Sequence, residues 1–152
     1  MNKFMSEAIA EARLAAAQNE VPVGAVVVRL GEIIARAHNL TEQNNNPTHH
    51  AEMLVINEAL KNSGAKNLKG CELYVTLEPC AMCIGACALS KIDKVYFGAY
   101  DTKGGACGGK TDVLRENCFD YKTEIFGGIE ETECKKILKD FFEKIREERA
   151  SE

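Results

Sequence analysis

Residues 71–89 read CELYVTLEPCAMCIGACAL. Leu73, Tyr74, Val75, Thr76 and Leu77 are strand-forming residues in one short run. Pro79 then ends the ladder and suits the first turn of a helix, which the pattern places over 80–89. Cys80 and Cys83 stand three apart at the head of that helix, so their thiols share a face. A strand that feeds at once into a helix carrying two thiols restricts the chain to folds in which strands and helices alternate.

The rest of the chain keeps that alternation. Met5 to Gln18 reads as a helix whose apolar face holds Phe4, Ala8, Ile9, Ala12 and Ala15 or Ala16. VPVGAVVV at 21–28 reads as a central strand, RLGE at 29–32 as a turn and Ile33–Ala37 as a second strand, together a hairpin. The polar loop 39–47 follows, then a helix from His50 to Asn62 with Thr48 as its expected cap. Ala51, Leu54, Val55 and Ala59 are expected to face inward from it. VYFGAY at 95–100 is a further strand, and YKTEIFG at 121–127 a candidate fifth. Between them DTKGGACGGKTD, 101–112, holds four glycines and must turn tightly or approach a ligand. A long helix from Glu130 or Glu131 to Arg149 closes the chain, with Cys134, Ile137, Leu138, Phe141, Phe142 and Ile145 on its apolar side. The expected fold is α/β, with one mixed sheet, helices on both faces, and 1–152 as a single domain.

Composition narrows the function classes. At 45% hydrophobic and 28% charged, the chain can bury a core and is not of the disordered class. A net charge of −4 provides no global basic field. That argues against non-specific DNA coating while leaving room for a local basic site or a structured RNA. No run of eighteen apolar residues occurs, so no membrane span is expected. The N-terminal segment has acidic residues within its apolar part and reads as an amphipathic helix rather than a signal peptide. Seven cysteines, an odd number, without secretory features fit a reducing, cytoplasmic setting with thiols as metal ligands or core residues.

Thiolates at a helix start are metal-ready, because the amide groups there favour the anion. A histidine from PTHHAEM, 47–53, would bring the donors to three, and zinc takes such a set. Cys87 lies about 10 Å along the helix from Cys80, whereas two sulfurs on one zinc lie within about 4 Å of each other, so Cys87 reads as core. His49, Cys71 and Cys107 remain candidates for a fourth ligand, and a water there is the catalytic alternative. A redox pair is the competing reading, yet a thioredoxin-like pair would follow the first strand and this one follows the third. Glu52 is either a favourable first-turn carboxylate or a proton shuttle. The second role meets a difficulty: residues two apart on a regular helix do not face each other, unless the pocket wraps the helix tip.

HAE at 50–52 with PCAMC at 79–83 resembles the His-x-Glu…Pro-Cys-x-x-Cys signature of the zinc cytidine/adenosine deaminases. EVPVGAVVV (20–28), NPTHHAE (46–52), LYVTLEPCAMCIGA (73–86), VYFGAYDTKGGACGG (95–109) and DFFEKIR (140–146) resemble, in order, blocks of the bacterial tRNA-specific adenosine deaminases. The resemblance covers nearly the whole chain. It implies a three-layer α/β/α cytidine-deaminase-like fold with a five-stranded mixed sheet. It implies one Zn2+ per subunit on His50, Cys80 and Cys83, water as the fourth ligand, and Glu52 as general acid/base. Hydrolysis of a wobble adenosine to inosine in a tRNA anticodon stem-loop would follow, on a homodimer whose RNA site uses both subunits, with no DNA partner. Substrate contacts would come from Asn39, Ala51, Asp101, Lys103, Phe142 and Arg146, with backbone groups of Ala51 and Glu78 near the target amine.

The sequence departs from the family at His49, where alanine is usual, and at Thr41, Glu143 and Lys144. Lys135, Lys136, Lys139, Lys144, Arg146 and Arg149 either form a basic stripe on the last helix or, interleaved with acids, a mixed solvated face. Two rival functions stand beside the tRNA enzyme. One is deamination of a free base or nucleoside such as guanine or cytosine. The other is a non-catalytic zinc module for RNA or protein, which requires four protein ligands.

Overall fold

The computed structural model describes residues 1–116 and 118–152. Its elements are α1 (Lys3–Ala17), β1 (Gly24–Arg29), β2 (Glu32–His38), α2 (Ala51–Ser63), β3 (Cys71–Leu77), α3 (Ala81–Leu89), β4 (Lys94–Ala99), a 3-10 turn (Leu114–Glu116), β5 (Glu124–Phe126) and α4 (Glu131–Ala150). The five strands form one sheet in the order β2-β1-β3-β4-β5. β1 is antiparallel to both β2 and β3, while β3, β4 and β5 run parallel, so the sheet is mixed as expected.

Alternation along the strands builds two cores. Ala25, Val27, Leu73, Val75, Val95 and Phe97 pack with Val55, Ala59, Ile84 and Cys87 of α2 and α3. Val26, Val28 and Tyr74 turn the other way, onto Met5, Ala8 and Ile9 of α1 and Cys134 of α4. Helices therefore cover both faces, giving three layers.

The local differences from the sequence reading have identifiable causes. The first strand starts at Gly24, not at 21; Val21 and Val23 instead line a cavity. The fifth strand is only Glu124–Phe126, and the residues before it are tied to the β4 approach by side chains rather than by a ladder. The Tyr121 hydroxyl donates to Asp93, and that of Thr123 donates to the Ile92 carbonyl. Thr48 does not cap α2; its amide and hydroxyl both donate to Asn46 Oδ1, and His50 is the N-cap residue. Leu54 is half-buried beside β2, and Ile56 is buried in its place.

β3 and β4 end side by side, with Leu77 paired to Ala99. From there the chain passes through Glu78 and Pro79 into α3, while β2 leads through residues 39–50 into α2. Both helix starts thus converge beyond the carboxyl ends of β3 and β4, where ligands bind in open α/β sheets.

Candidate metal centre

His50 and Cys80 occupy equivalent places, each the extended N-cap residue of its helix, with φ/ψ of −71/153° and −76/176°. Neither side chain makes a capping hydrogen bond. His50 Nδ1 lies 3.7 Å from Cys80 Sγ and 3.5 Å from Cys83 Sγ, and the three donor atoms lie within 4.8 Å of one another. Tetrahedral zinc with bonds of about 2.3 Å to sulfur and about 2.0 Å to nitrogen spaces such donors about 3.6 Å apart. The donor set and its spacing fit zinc. Among the described residues no other His, Cys, Asp or Glu joins the cluster.

Hydrogen bonds from Cys83 and His50 bring the Cys80 thiol down to about 4. The bond to Cys80, with burial, pushes the Cys83 thiol well up, and the bond to Cys80 also raises His50. A cation here would replace shared protons by a stronger positive charge. Cys87 is fully buried, and burial raises its thiol well above the ordinary range; it is core, as the helix rise required. Cys71 is buried at the start of β3, and Cys107 sits on the glycine-rich loop.

A cavity of about 230 Å³ opens on this centre. Asn39, His50, Ala51, Glu52, Cys80 and Asp101 line it, all of them expected site residues; Val21, Val23, Thr41, Leu77 and Glu78 complete it. Glu52 is 4% exposed, and burial lifts its carboxyl to about 7. The geometric difficulty disappears because His50 lies outside the helix and Glu52 in its first turn, so helical spacing does not separate them. Asn39 is buried, its Nδ2 donates to the Val21 carbonyl at 3.4 Å, and its Oδ1 has no partner. A buried acceptor without a donor is costly unless a ligand supplies one.

The remaining expected contacts stand apart from the cavity lining. Lys103 is exposed on the glycine-rich loop. Asp101 Oδ1 accepts the amides of Lys103 and Gly104, which makes it a turn-former as well as a wall residue. Phe141 is buried, whereas Phe142 is 42% exposed and Arg146 exposed, on the outer half of α4. The expected basic stripe is largely neutralised: Lys135, Lys136, Lys139 and Lys144 pair with Glu131, Asp140, Glu143 and Glu148, each one turn away.

His49 is occupied with its own loop. Its Nδ1 lies 2.9 Å from Asn44 Nδ2 and its Nε2 3.0 Å from Asn46 Nδ2. Asn46 Oδ1 is committed to Thr48, so its Nδ2 faces the ring and Nε2 accepts. The ring clasps the 44–46 turn and is not part of the donor cluster. The side-chain roles of Glu20 and Glu78 escaped the sequence reading. Buried Glu20 accepts the Glu42 and Gln43 amides at 3.0 and 2.7 Å; in the sequence it merely ends the polar run Gln18-Asn19-Glu20 ahead of Val21, which gives no local sign of burial.

Residues 1–99 match the family described as the cytidine and deoxycytidylate deaminase zinc-binding region. The chain is 51% identical over 146 residues to a tRNA-specific adenosine deaminase of Bacillus subtilis (strain 168), covering 96% of this chain and 91% of that one. It is similar to a structure solved in studies of A-to-I editing by deaminases acting at the wobble position of transfer RNA. The TM-score there is 0.86 at 41% identity, covering 89% of this chain and 98% of that one. A guanine deaminase from Bacillus subtilis is also similar, with a TM-score of 0.64 at 36% identity, covering 80% and 79% of the two chains.

Proposed function

The chain belongs to the cytidine and deoxycytidylate deaminase family, and on that premise we propose that it hydrolyses the wobble adenosine of a tRNA anticodon loop to inosine. One observation carries the chemistry. Three zinc-type donors, with no fourth among the described residues, cluster together, and two of them, His50 and Cys80, stand on the wall of a cavity shared with a buried carboxyl and an unpartnered amide oxygen. A structural zinc takes four protein ligands, so the arrangement favours an enzyme over an inert module.

His50, Cys80 and Cys83 would hold the zinc, which when bound supplies a water acidic enough to be a nucleophile near neutral pH. Glu52 would take one proton from that water to N1 of the adenine ring, and then carry the second, from the hydroxyl added at C6, to the amine that leaves as ammonia. Asn39 Oδ1 accepts a hydrogen bond from the substrate, which ends its isolation. Ala51 lines the cavity beside them. A loop base enters readily because it is already easy to unstack. Asp101 and Lys103 on the rim, with Phe142 and Arg146 on α4, contact the flanking nucleotides. The protein works as one deaminase domain over 1–152, as a homodimer, in the cytoplasm, with tRNA rather than DNA as partner. Among the described residues no helix is long and apolar enough to cross a membrane.

The test uses zinc-quantified protein and a synthetic anticodon stem-loop with a wobble adenosine. A guanosine-substituted stem-loop, free guanine, cytosine and cytidine run beside it. Inosine at the wobble position with no turnover of the free compounds is expected. Turnover of free guanine without inosine would move the substrate assignment to the free base and leave the metal chemistry standing.

A further inference from the structure

We propose that Glu78 is a positioning residue, whose buried side chain anchors the 101–109 loop and so sets the cavity wall on which Asp101 stands. The inference rests on the reading of that cavity as the substrate site. Glu78 is 3% exposed. Its Oε1 accepts the Asp101 amide at 2.9 Å, and its Oε2 accepts the Cys107 and Gly109 amides at 2.9 and 2.7 Å. Three backbone donors from one loop therefore converge on one carboxylate. Without it they would be left partly buried and unpaired.

The glycines of the loop match this role. A Cβ on Gly105 would lie 2.3 Å from Glu78 Cδ, and one on Gly109 would lie 2.2 Å from Glu78 Oε1. The ligand that the glycine-rich loop approaches is the chain's own carboxylate. The anchor also reaches the metal side. Glu78 N–H donates to the Ala99 carbonyl at 2.8 Å, Ala106 N–H donates to the Pro79 carbonyl at 2.9 Å, and Cys80 comes next in the chain. One residue thus ties the ends of β3 and β4, the start of α3 and the rim loop into a single frame. A wall held before substrate arrives need not be ordered on binding, which lowers the entropic cost of recognition.

Glu78→Gln discriminates this from a general packing role. An amide cannot accept from both sides, so Gln retains at most the Cys107 and Gly109 bonds and opposes an NH2 to Asp101 N–H. Amide hydrogen exchange at Asp101 should rise at least roughly tenfold in Glu78→Gln, and at 101, 107 and 109 together in Glu78→Ala. Steady-state kinetics on the stem-loop, per bound zinc, should show KM rising roughly tenfold for Gln and further for Ala, with the loss falling on KM rather than kcat. Unchanged exchange in Glu78→Gln, or a loss confined to kcat or to the folded fraction, overturns the proposal. If Glu78→Ala does not fold, Glu78→Gln decides alone. If the wild type forms no inosine, the substrate reading falls, and the exchange measurement still decides the anchor.

Discussion

α1 on one face of the sheet and the pair α2 and α3 on the other begin with the same backbone and use it differently. Asn2, His50 and Cys80 are all extended N-cap residues. Asn2 spends its side chain on the helix: Oδ1 accepts the Phe4 and Met5 amides at 3.0 and 2.8 Å. Its own amide donates to Glu130 Oε1 at 2.9 Å, which ties the start of α1 to that of α4. His50 and Cys80 make no capping bond and turn towards each other and Cys83. A cap is worth about 1 kcal/mol. α1 keeps that stabilisation, which α4, with the left-handed Glu130 at its N-cap, does not have; α2 and α3 do without it and place metal donors where two helix dipoles favour anions.

The contrast can be broken most severely at the ligands. Cys80→Ala should abolish stoichiometric zinc binding and lower inosine formation by at least about a thousandfold, as elemental analysis and a stem-loop assay would show together. Glu52→Gln comes next. It should retain one zinc per chain while turnover falls by about 10²–10⁴-fold; retained zinc with unaltered turnover would remove Glu52 from the chemistry.

Stability of the metal-free protein against pH sharpens the comparison further. Burial lifts the Glu52 carboxyl from 4.5 to about 7, so between those values the folded state holds a proton that the unfolded state releases. Its contribution is complete below 4.5 and is lost as pH rises through about 7. The loss should be on the order of 3 kcal/mol, and denaturant titrations of wild type and Glu52→Gln should differ by that slope. The smallest effect belongs to the other face. Asn2→Ala should cost about 1 kcal/mol of unfolding free energy with zinc content and turnover unaltered.

Much of the fold was legible because its signals are local. Hydrophobic periodicity marked every helix and strand, and Pro79 marked the strand-to-helix joint. The errors fell where long-range partners override local preference. Thr48 looks like a cap but donates to Asn46, and Val21 and Val23 look like strand but line the cavity. Tyr121 and Thr123 look like strand but are drawn to Asp93 and Ile92. The α4 lysines illustrate the same limit, since a basic run could not reveal that four of them pair with acids one turn away.

By itself the sequence determined the order of elements, the donor types and their spacing, His50-x-Glu52 and Cys80-x-x-Cys83. These follow from helix geometry and metal preference over a few residues. Only the tertiary structure decided that His49 is held by Asn44 and Asn46, that Cys71 and Cys107 stay outside the cluster, and that Asn39 Oδ1 is left without a donor. It also decided that Glu78 holds the glycine-rich loop. The physical reason is that the contacts of His50 with the thiols and of Glu78 with the loop join residues 23 to 33 positions apart, brought together by strand order and by two helices that start at one end of the sheet. Local periodicity encodes the direction of each segment, and the packing of the sheet sets the distances between them.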